Sequence, residues 1–356
     1  MVSNRLFELG LPSLALSFSN LDFDPALMIQ LSLSVTQDMR LLYVDDMIIT
    51  GDDTDGIFAL KTSLQKHFEM KDLGQLNYFL GLEVLSDSDG YYLSQAKYAS
   101  DLLARADLTD SKVTSTPLEP NAKLTPLDGV SLKDATLYRQ LVGSLVYLMV
   151  TRPDIFHAIH IMSQYMSAPR SPHYTAVLHI LRYIKGTLFH GLHFSTYSSL
   201  KLRAFSDADW TGDPTDRRST TSFCVFLGDS LISWRCKKQT VVARSSTKAE
   251  YRALVDTTQE IIWLLSDMGV PHSRPTPLAC DNNSVVQIAH NDIFHERTKH
   301  IEVYCHFIRQ HITQGTIVLR SISSLDQPVD LFTKSHHRGR FHDLVSKLKI
   351  TSTQPS

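Results

Sequence analysis

The stretch Leu202-Arg203-Ala204-Phe205-Ser206-Asp207-Ala208-Asp209-Trp210 decides how the second half of the chain is read. A short β-favouring run over 201–206 ends abruptly on an acid, the pattern of a strand that delivers a carboxylate to the edge of a sheet. Two further strands follow at 222–227 and 231–236, joined by the turn Gly228-Asp229-Ser230. A long helix is predicted from Ser246 or Thr247 to about Met268, stopped at Gly269. Beyond it the pattern alternates: a strand at 277–281, helices at 283–290 and 298–312, a strand at 316–322 and a helix from about Gln327. Three consecutive strands followed by alternation of helix and strand imply a mixed five-stranded sheet flanked by helices, an α/β unit.

Four acids fall at the ends of these elements. Asp207 closes the first strand and Asp281 the fourth, Glu250 lies near the start of the long helix, and Asp330 lies early in the last helix. If the first and fourth strands are neighbours, Asp207 and Asp281 stand side by side, and the helix starts face the same edge. Converging carboxylates repel one another unless cations join them. Hard oxygen ligands suit Mg²⁺, and two such ions about 3.5–4 Å apart activate water and stabilise a leaving oxygen in phosphodiester cleavage. Any one acid alone reads better as a turn residue or a helix N-terminal charge; their joint placement favours the metal site.

Residues 217–252 carry eight basic residues, among them Arg217, Arg218, Lys237, Lys238, Arg244 and Lys248, against two acids. That local excess of +6 sits in a chain of net charge −2, so a nucleic-acid partner rests on this patch and not on bulk charge. Trp210, Trp234 and Tyr251 lie in or beside it and can stack on sugar or base.

The 356 residues suggest about two domains, and 43% hydrophobic with 20% charged residues is an ordinary globular composition. Four cysteines without a CxxC pair exclude a disulfide scaffold and a cysteine zinc site. No signal peptide is read at the N-terminus, and the longest apolar run, Leu141 to Val150, is too short to span a bilayer. The expectation is a soluble, intracellular protein of the cytoplasm or nucleus, away from membranes; the oligomeric state is not legible.

The first half is organised differently. Residues 1–35 show weak periodicity. Two apolar runs around Asp45 and Asp46 read as a hairpin, followed by a helix at 54–70 and strands at 80–84 and 91–93 around the turn Asp87-Ser88-Asp89-Gly90. Residues 109–134, with Pro117, Pro120 and Pro126, read as a linker. Three helices are expected next, over 135–150, from Thr151-Arg152-Pro153, and from Ser171-Pro172 to Gly186. The sixteen histidines lack an HExxH spacing, and the acidic run 51–56 lacks the closing glutamate of a calcium loop.

Taken in order, LLYVDDMIITG, FEMKDLGQLNYFLGLEV, YRQLVGSLVYLMVTRPDI, LRYIKGT, FSDADW, DRRST, SSTKAEYRAL, CDNNS, ERTKHIEV and VDLFTK resemble the C-terminal part of a copia-type retrotransposon Pol polyprotein over about residues 40–345. The resemblance implies a reverse-transcriptase palm remnant at 36–108, the linker at 109–134, a helical connection at 135–195, an RNase H-like domain at 200–345 and a tail at 346–356. It implies cleavage of the RNA strand of an RNA–DNA hybrid by Asp207, Glu250, Asp281 and Asp330 with Mg²⁺ or Mn²⁺, two ions in the site, and with Asp209 as the fallback first acid. It also implies that Asp45 and Asp46, in YVDD, hold polymerase metal and that Lys71 belongs to a later palm motif. The family's earlier palm aspartate has no match in LDFDPAL, so the polymerase part is expected to be truncated and inactive. Tyr304 and Ser222 stand where the family often has aspartate and glycine. The other readings the resemblance leaves open are a non-catalytic nucleic-acid-binding remnant and residual RNA-directed DNA synthesis.

Overall fold

The computed structural model describes residues 39–43, 46–50, 53–67, 71–120, 122, 124–213, 215–267, 274–291 and 302–352. The weakly periodic segment 1–35 and Asp45 lie outside them, as do Gly269 and the start of the helix expected from 298.

Strands β1 (Met39–Tyr43) and β2 (Asp46–Thr50) form the expected antiparallel hairpin, followed by helix α1 (Thr54–His67). Short strands β3 (Tyr78–Phe79), β4 (Leu82–Ser86) and β5 (Gly90–Ser94) form a meander. At its second turn the Asp87 carboxylate accepts from the backbone N–H groups of Asp89 and Gly90, at 2.8 and 3.0 Å. Gly90 is needed there: its φ is +149°, and a Cβ would lie 2.1 Å from the Phe194 carbonyl oxygen. Helices α2 (Ala96–Arg105), α3 (Thr136–Leu148), α4 (Phe156–Ser163) and α5 (Ser171–Gly186) come next, then strand β6 (His190–Ser195).

The C-terminal half opens with β7 (Leu202–Asp209), β8 (Thr220–Leu227) and β9 (Ser230–Lys238), each longer than its sequence pattern shows. Helix α6 (Ser246–Asp267), strand β10 (Thr276–Cys280), helices α7 (Asn283–His290) and α8 (Glu302–Thr313), and strand β11 (Ile317–Ser321) follow. The one-turn helix α9 (Asp330–Thr333), helix α10 (Arg338–Lys347) and strand β12 (Ile350–Ser352) close the chain.

The expected mixed sheet has the order β11-β10-β7-β8-β9. β7, β10 and β11 run parallel, while β8 pairs antiparallel with β7 and β9 antiparallel with β8. β8 is buried on both faces, and strand alternation divides it between two cores. Phe223 and Val225 pack with Tyr251, Leu254 and Ile261 of α6 and with Leu278 of β10. Cys224 and Phe226 belong to the other core, which contains Tyr138, Leu141, Ile159, Ile180 and Phe332.

That other core reaches across the chain. A second five-stranded sheet has the order β12-β6-β5-β4-β3, so Ile350–Ser352 pair with His190–Leu192, and β6 pairs with β5. Residues 346–352, read from sequence as the start of a tail, thus end α10 and supply an edge strand. The described residues of the proline-rich segment 109–134 form turns and bends, and part of the segment lies against α5. Lys185 Nζ donates to the Ser111 carbonyl at 2.6 Å, Thr114 N–H to Arg182 O at 3.4 Å, and Leu118 is buried. At the end of α5, Arg152 is 1% exposed and makes a bidentate pair with Asp154, at 2.9 and 2.7 Å. Its guanidinium also donates to the carbonyl and hydroxyl of Thr187, and Tyr183 Oη donates to Asp154 at 2.6 Å. Among the described residues no helix is long and apolar enough to cross a membrane.

Candidate active site

The parallel ladder between β7 and β10 pairs Ala279 with Phe205. Two residues further along stand Asp207 and Asp281, side by side as the neighbour condition requires; Asp281 is the residue just after β10, whereas β7 does not end on Asp207 but runs on to Asp209. Glu250 reaches the same edge from the start of α6, where the backbone N–H of Ala208 donates to it. One carboxylate oxygen from each of Asp207, Glu250 and Asp281 lies within 4.8 Å of the others.

Hydrogen bonds orient two of these groups. Thr333 Oγ1 donates to Asp207 Oδ2 at 2.8 Å, and Ser324 Oγ donates to Asp281 Oδ2 at 2.8 Å. Burial pushes the Asp207 carboxyl up to about 6, with the charges of Asp330 and Asp281 adding to it. Burial, then repulsion from Asp207 and Asp281, pushes Glu250 well above the usual carboxylate range. Carboxyls crowded until they resist ionising suit a hard divalent cation, and the oxygen-only donor set fits Mg²⁺ or Mn²⁺.

Asp330 is buried next to this group but is not one of the three. Its Oδ1 lies 2.7 Å from Lys334 Nζ, and its Oδ2 lies 3.5 Å from Arg340. The same Lys334 ammonium is 4.0 Å from Asp207 Oδ2, so it stands between the fourth acid and the first. Asp209, the fallback, turns aside to accept from the Thr220 backbone N–H, and burial pushes its carboxyl up to about 7. The acids open onto a cavity of about 520 Å³ whose rim includes Trp210, Asn283 and Lys334. Trp210 is exposed and anchored by an indole N–H to the Ala243 carbonyl, at 3.1 Å.

Sequence reasoning missed Lys334, Arg340, Thr333 and Ser324. Lys334 was within reach, because a lysine four residues after an acid on a helical turn is a standard ion pair. The contacts of Ser324 and Arg340 depend on how the last loop folds back.

The basic residues divide. Arg217, Arg218, Lys237 and Arg244 are exposed, and Lys248 is half-buried on the turn that carries Glu250. Lys237 stands one strand beyond Thr221, which itself pairs with Ala208, so it is two strands from the acid strand. Lys238 is engaged instead in ion pairs with Asp213 and Asp216, at 2.5 and 2.9 Å, and reaches Gln164 of the helical segment. Tyr304 accepts from Arg252 at 3.3 Å, and Ser222 faces Asp207 across the β7–β8 ladder. Asp46 heads β2 opposite Tyr43.

The family described as reverse transcriptase (RNA-dependent DNA polymerase) matches residues 26–120. The Pol polyprotein of transposon RE1 from Arabidopsis thaliana is 42% identical over 319 residues, 89% of this chain and 22% of that polyprotein. A transposon Ty5-1 protein of Saccharomyces cerevisiae is 31% identical over 223 residues, 62% of this chain and 72% of that protein. Among solved structures, RNase H1 of Halobacterium salinarum is similar at 12% identity and a TM-score of 0.29, over 36% of this chain and 90% of that one. The chain thus spans about a fifth of the RE1 polyprotein, 22% of its length. Motif order, the reverse-transcriptase match and the RE1 and Ty5-1 relatives agree: the chain belongs to the copia-type retrotransposon Pol family.

Proposed function

We propose that residues 200–345 act as a metal-dependent endonuclease on the RNA strand of RNA–DNA hybrids, with Asp207, Glu250 and Asp281 holding Mg²⁺ or Mn²⁺. The observation that carries this reading is the convergence of three carboxylate oxygens within 4.8 Å at one rim of the sheet. When bound, the cation would supply Lewis-acid polarisation of a phosphate oxygen and a water made more acidic than bulk water.

The chain's own residues do the rest. Thr333 and Ser324 fix the orientation of the Asp207 and Asp281 carboxylates, as hydrogen-bond partners of metal ligands do. Arg217, Arg218, Lys237, Arg244 and Lys248 supply positive charge for the hybrid's phosphates. Trp210 offers an exposed ring beside the acids for a sugar or base. The preceding residues, including Asp45 and Asp46, derive from a polymerase palm, with 135–195 as the helical connection.

The test is cleavage of a hybrid labelled on either strand by the purified chain with Mg²⁺. Cutting of the RNA strand, abolished in Asp281→Asn, is expected. Salt-sensitive binding without cutting under Mg²⁺ or Mn²⁺ would reduce the chain to a nucleic-acid-binding remnant.

A further inference from the structure

We propose that Lys334 holds the place of a second divalent ion, so that the cluster alone takes one ion and accepts another only when this side chain leaves Asp330. The inference rests on the metal reading above and deepens it.

Position is the first ground. The Lys334 ammonium is 2.7 Å from Asp330 Oδ1 and 4.0 Å from Asp207 Oδ2, the span that an ion shared by these two carboxylates would occupy. Asp330 is not a member of the group formed by Asp207, Glu250 and Asp281.

Mobility is the second. The Asp207 and Asp330 side chains are 4% and 9% exposed, whereas that of Lys334 is 49% exposed. Lys334 is also the C-cap of α9, in extended backbone at φ −139° and ψ 151°. Its long side chain can swing into solvent without disturbing the helix, while the Asp207 carboxylate is held by burial and Thr333 and that of Asp330 by burial and Arg340.

Charge balance is the third. Asp207, Glu250, Asp281 and Asp330 bring four negative charges, and Lys334 and Arg340 bring two positive ones. The remainder equals one divalent ion. A second ion with Lys334 still in place would leave the buried site strongly positive. With Lys334 withdrawn and a phosphodiester present, two ions and Arg340 balance the four carboxylates and the phosphate. Entry of the second ion is therefore tied to substrate, and Lys334 acts as a positioning residue that sets metal stoichiometry.

The test counts Mn²⁺ bound to the full chain by calorimetry and electron paramagnetic resonance, without nucleic acid. Wild type should bind one ion. Lys334→Gln should bind a second at least ten-fold more tightly than wild type does, Lys334→Arg should behave as wild type, and Asp330→Asn added to Lys334→Gln should remove the second ion. Thermal melts check that each variant is folded. Identical stoichiometry and affinities in wild type and Lys334→Gln would overturn the proposal while leaving the metal reading intact. So would two equally tight ions in wild type. No ion in any variant would overturn both.

Discussion

Asp207, near the end of β7, and Asp281, just past the end of β10, stand abreast on two adjacent parallel strands, two residues beyond the paired Phe205 and Ala279. The relationship sets like charges together where Asp207 is 3% exposed, and the protein holds them there at a cost in stability. Asp207→Asn should therefore be more stable than wild type in chelator at pH 7.5, by about 1–3 kcal/mol. It should also lose the stabilisation that Mg²⁺ gives wild type. Thermal melts with chelator and with Mg²⁺ check both; a variant that melts lower in chelator would show that repulsion is not what burial of this acid costs.

The Arg152–Asp154 pair has no exposed face and ties the start of α4 to the end of α5. Removing one partner leaves the other charge buried alone. Arg152→Ala should lose about 3–5 kcal/mol in chemical denaturation, far more than any exposed pair. The pair and the Tyr183 hydroxyl hold the Asp154 carboxyl below its usual value even though burial pushes it up. Its contribution is fully present above the unfolded carboxylate value and is lost as pH falls through the lower folded one.

His157 and His160 titrate with the same sign at higher pH. Burial pushes His157 down to about 3 and His160 down to about 4. Below the unfolded value of about 6.5 the unfolded chain binds protons that the folded chain refuses, so these residues destabilise the fold as pH drops from about 6.5 toward 4. Asp207, pushed up to about 6, acts in the opposite sense over part of that window. The comparison with His157→Gln isolates the histidine. Wild type should lose stability relative to this variant by at most about 1.4 kcal/mol per pH unit. Parallel stability curves for the two proteins from pH 7.5 to 4.5 would contradict it.

Much of this was legible before any coordinates. A strand carrying Asp207 near its end, another ending next to Asp281 and a helix starting just before Glu250 are local patterns, although the first strand runs on to Asp209; the adjacency of the two strands stood only as a condition until the sheet order met it. Lys334 as an i,i+4 partner of Asp330 was legible, but the side of the one-turn helix that the pair faces was not, because a single turn gives too little periodicity. The β12–β6 pairing joins residues about 160 apart through three short, partly polar positions, and nothing in Ile350-Thr351-Ser352 marks them as a strand. The proline-rich segment 109–134 gives no sequence sign of its packing on α5: its backbone finds partners on that helix, a tertiary choice that proline content does not encode. Lys238 looked like every other base in its stretch until Asp213 and Asp216 folded onto it.

That last distinction has a measurable consequence. Lys237 and Arg244 are exposed, while Lys238 is already neutralised. Lys237→Ala or Arg244→Ala should reduce the slope of log affinity for a hybrid against log salt by about 0.7–0.9 each. Lys238→Ala should leave that slope almost unchanged. A larger loss of slope from Lys238→Ala than from Lys237→Ala would show that its ion pairs open to the nucleic acid.

The central claim is that Asp207, Glu250 and Asp281 share a divalent cation, and anomalous diffraction from a crystal soaked in Mn²⁺ tests it most directly. A strong anomalous peak within coordination distance of all three carboxylates, absent in crystals of Asp281→Asn, is the predicted result. A map with no peak among them at millimolar Mn²⁺, or with the carboxylates turned apart, would contradict it.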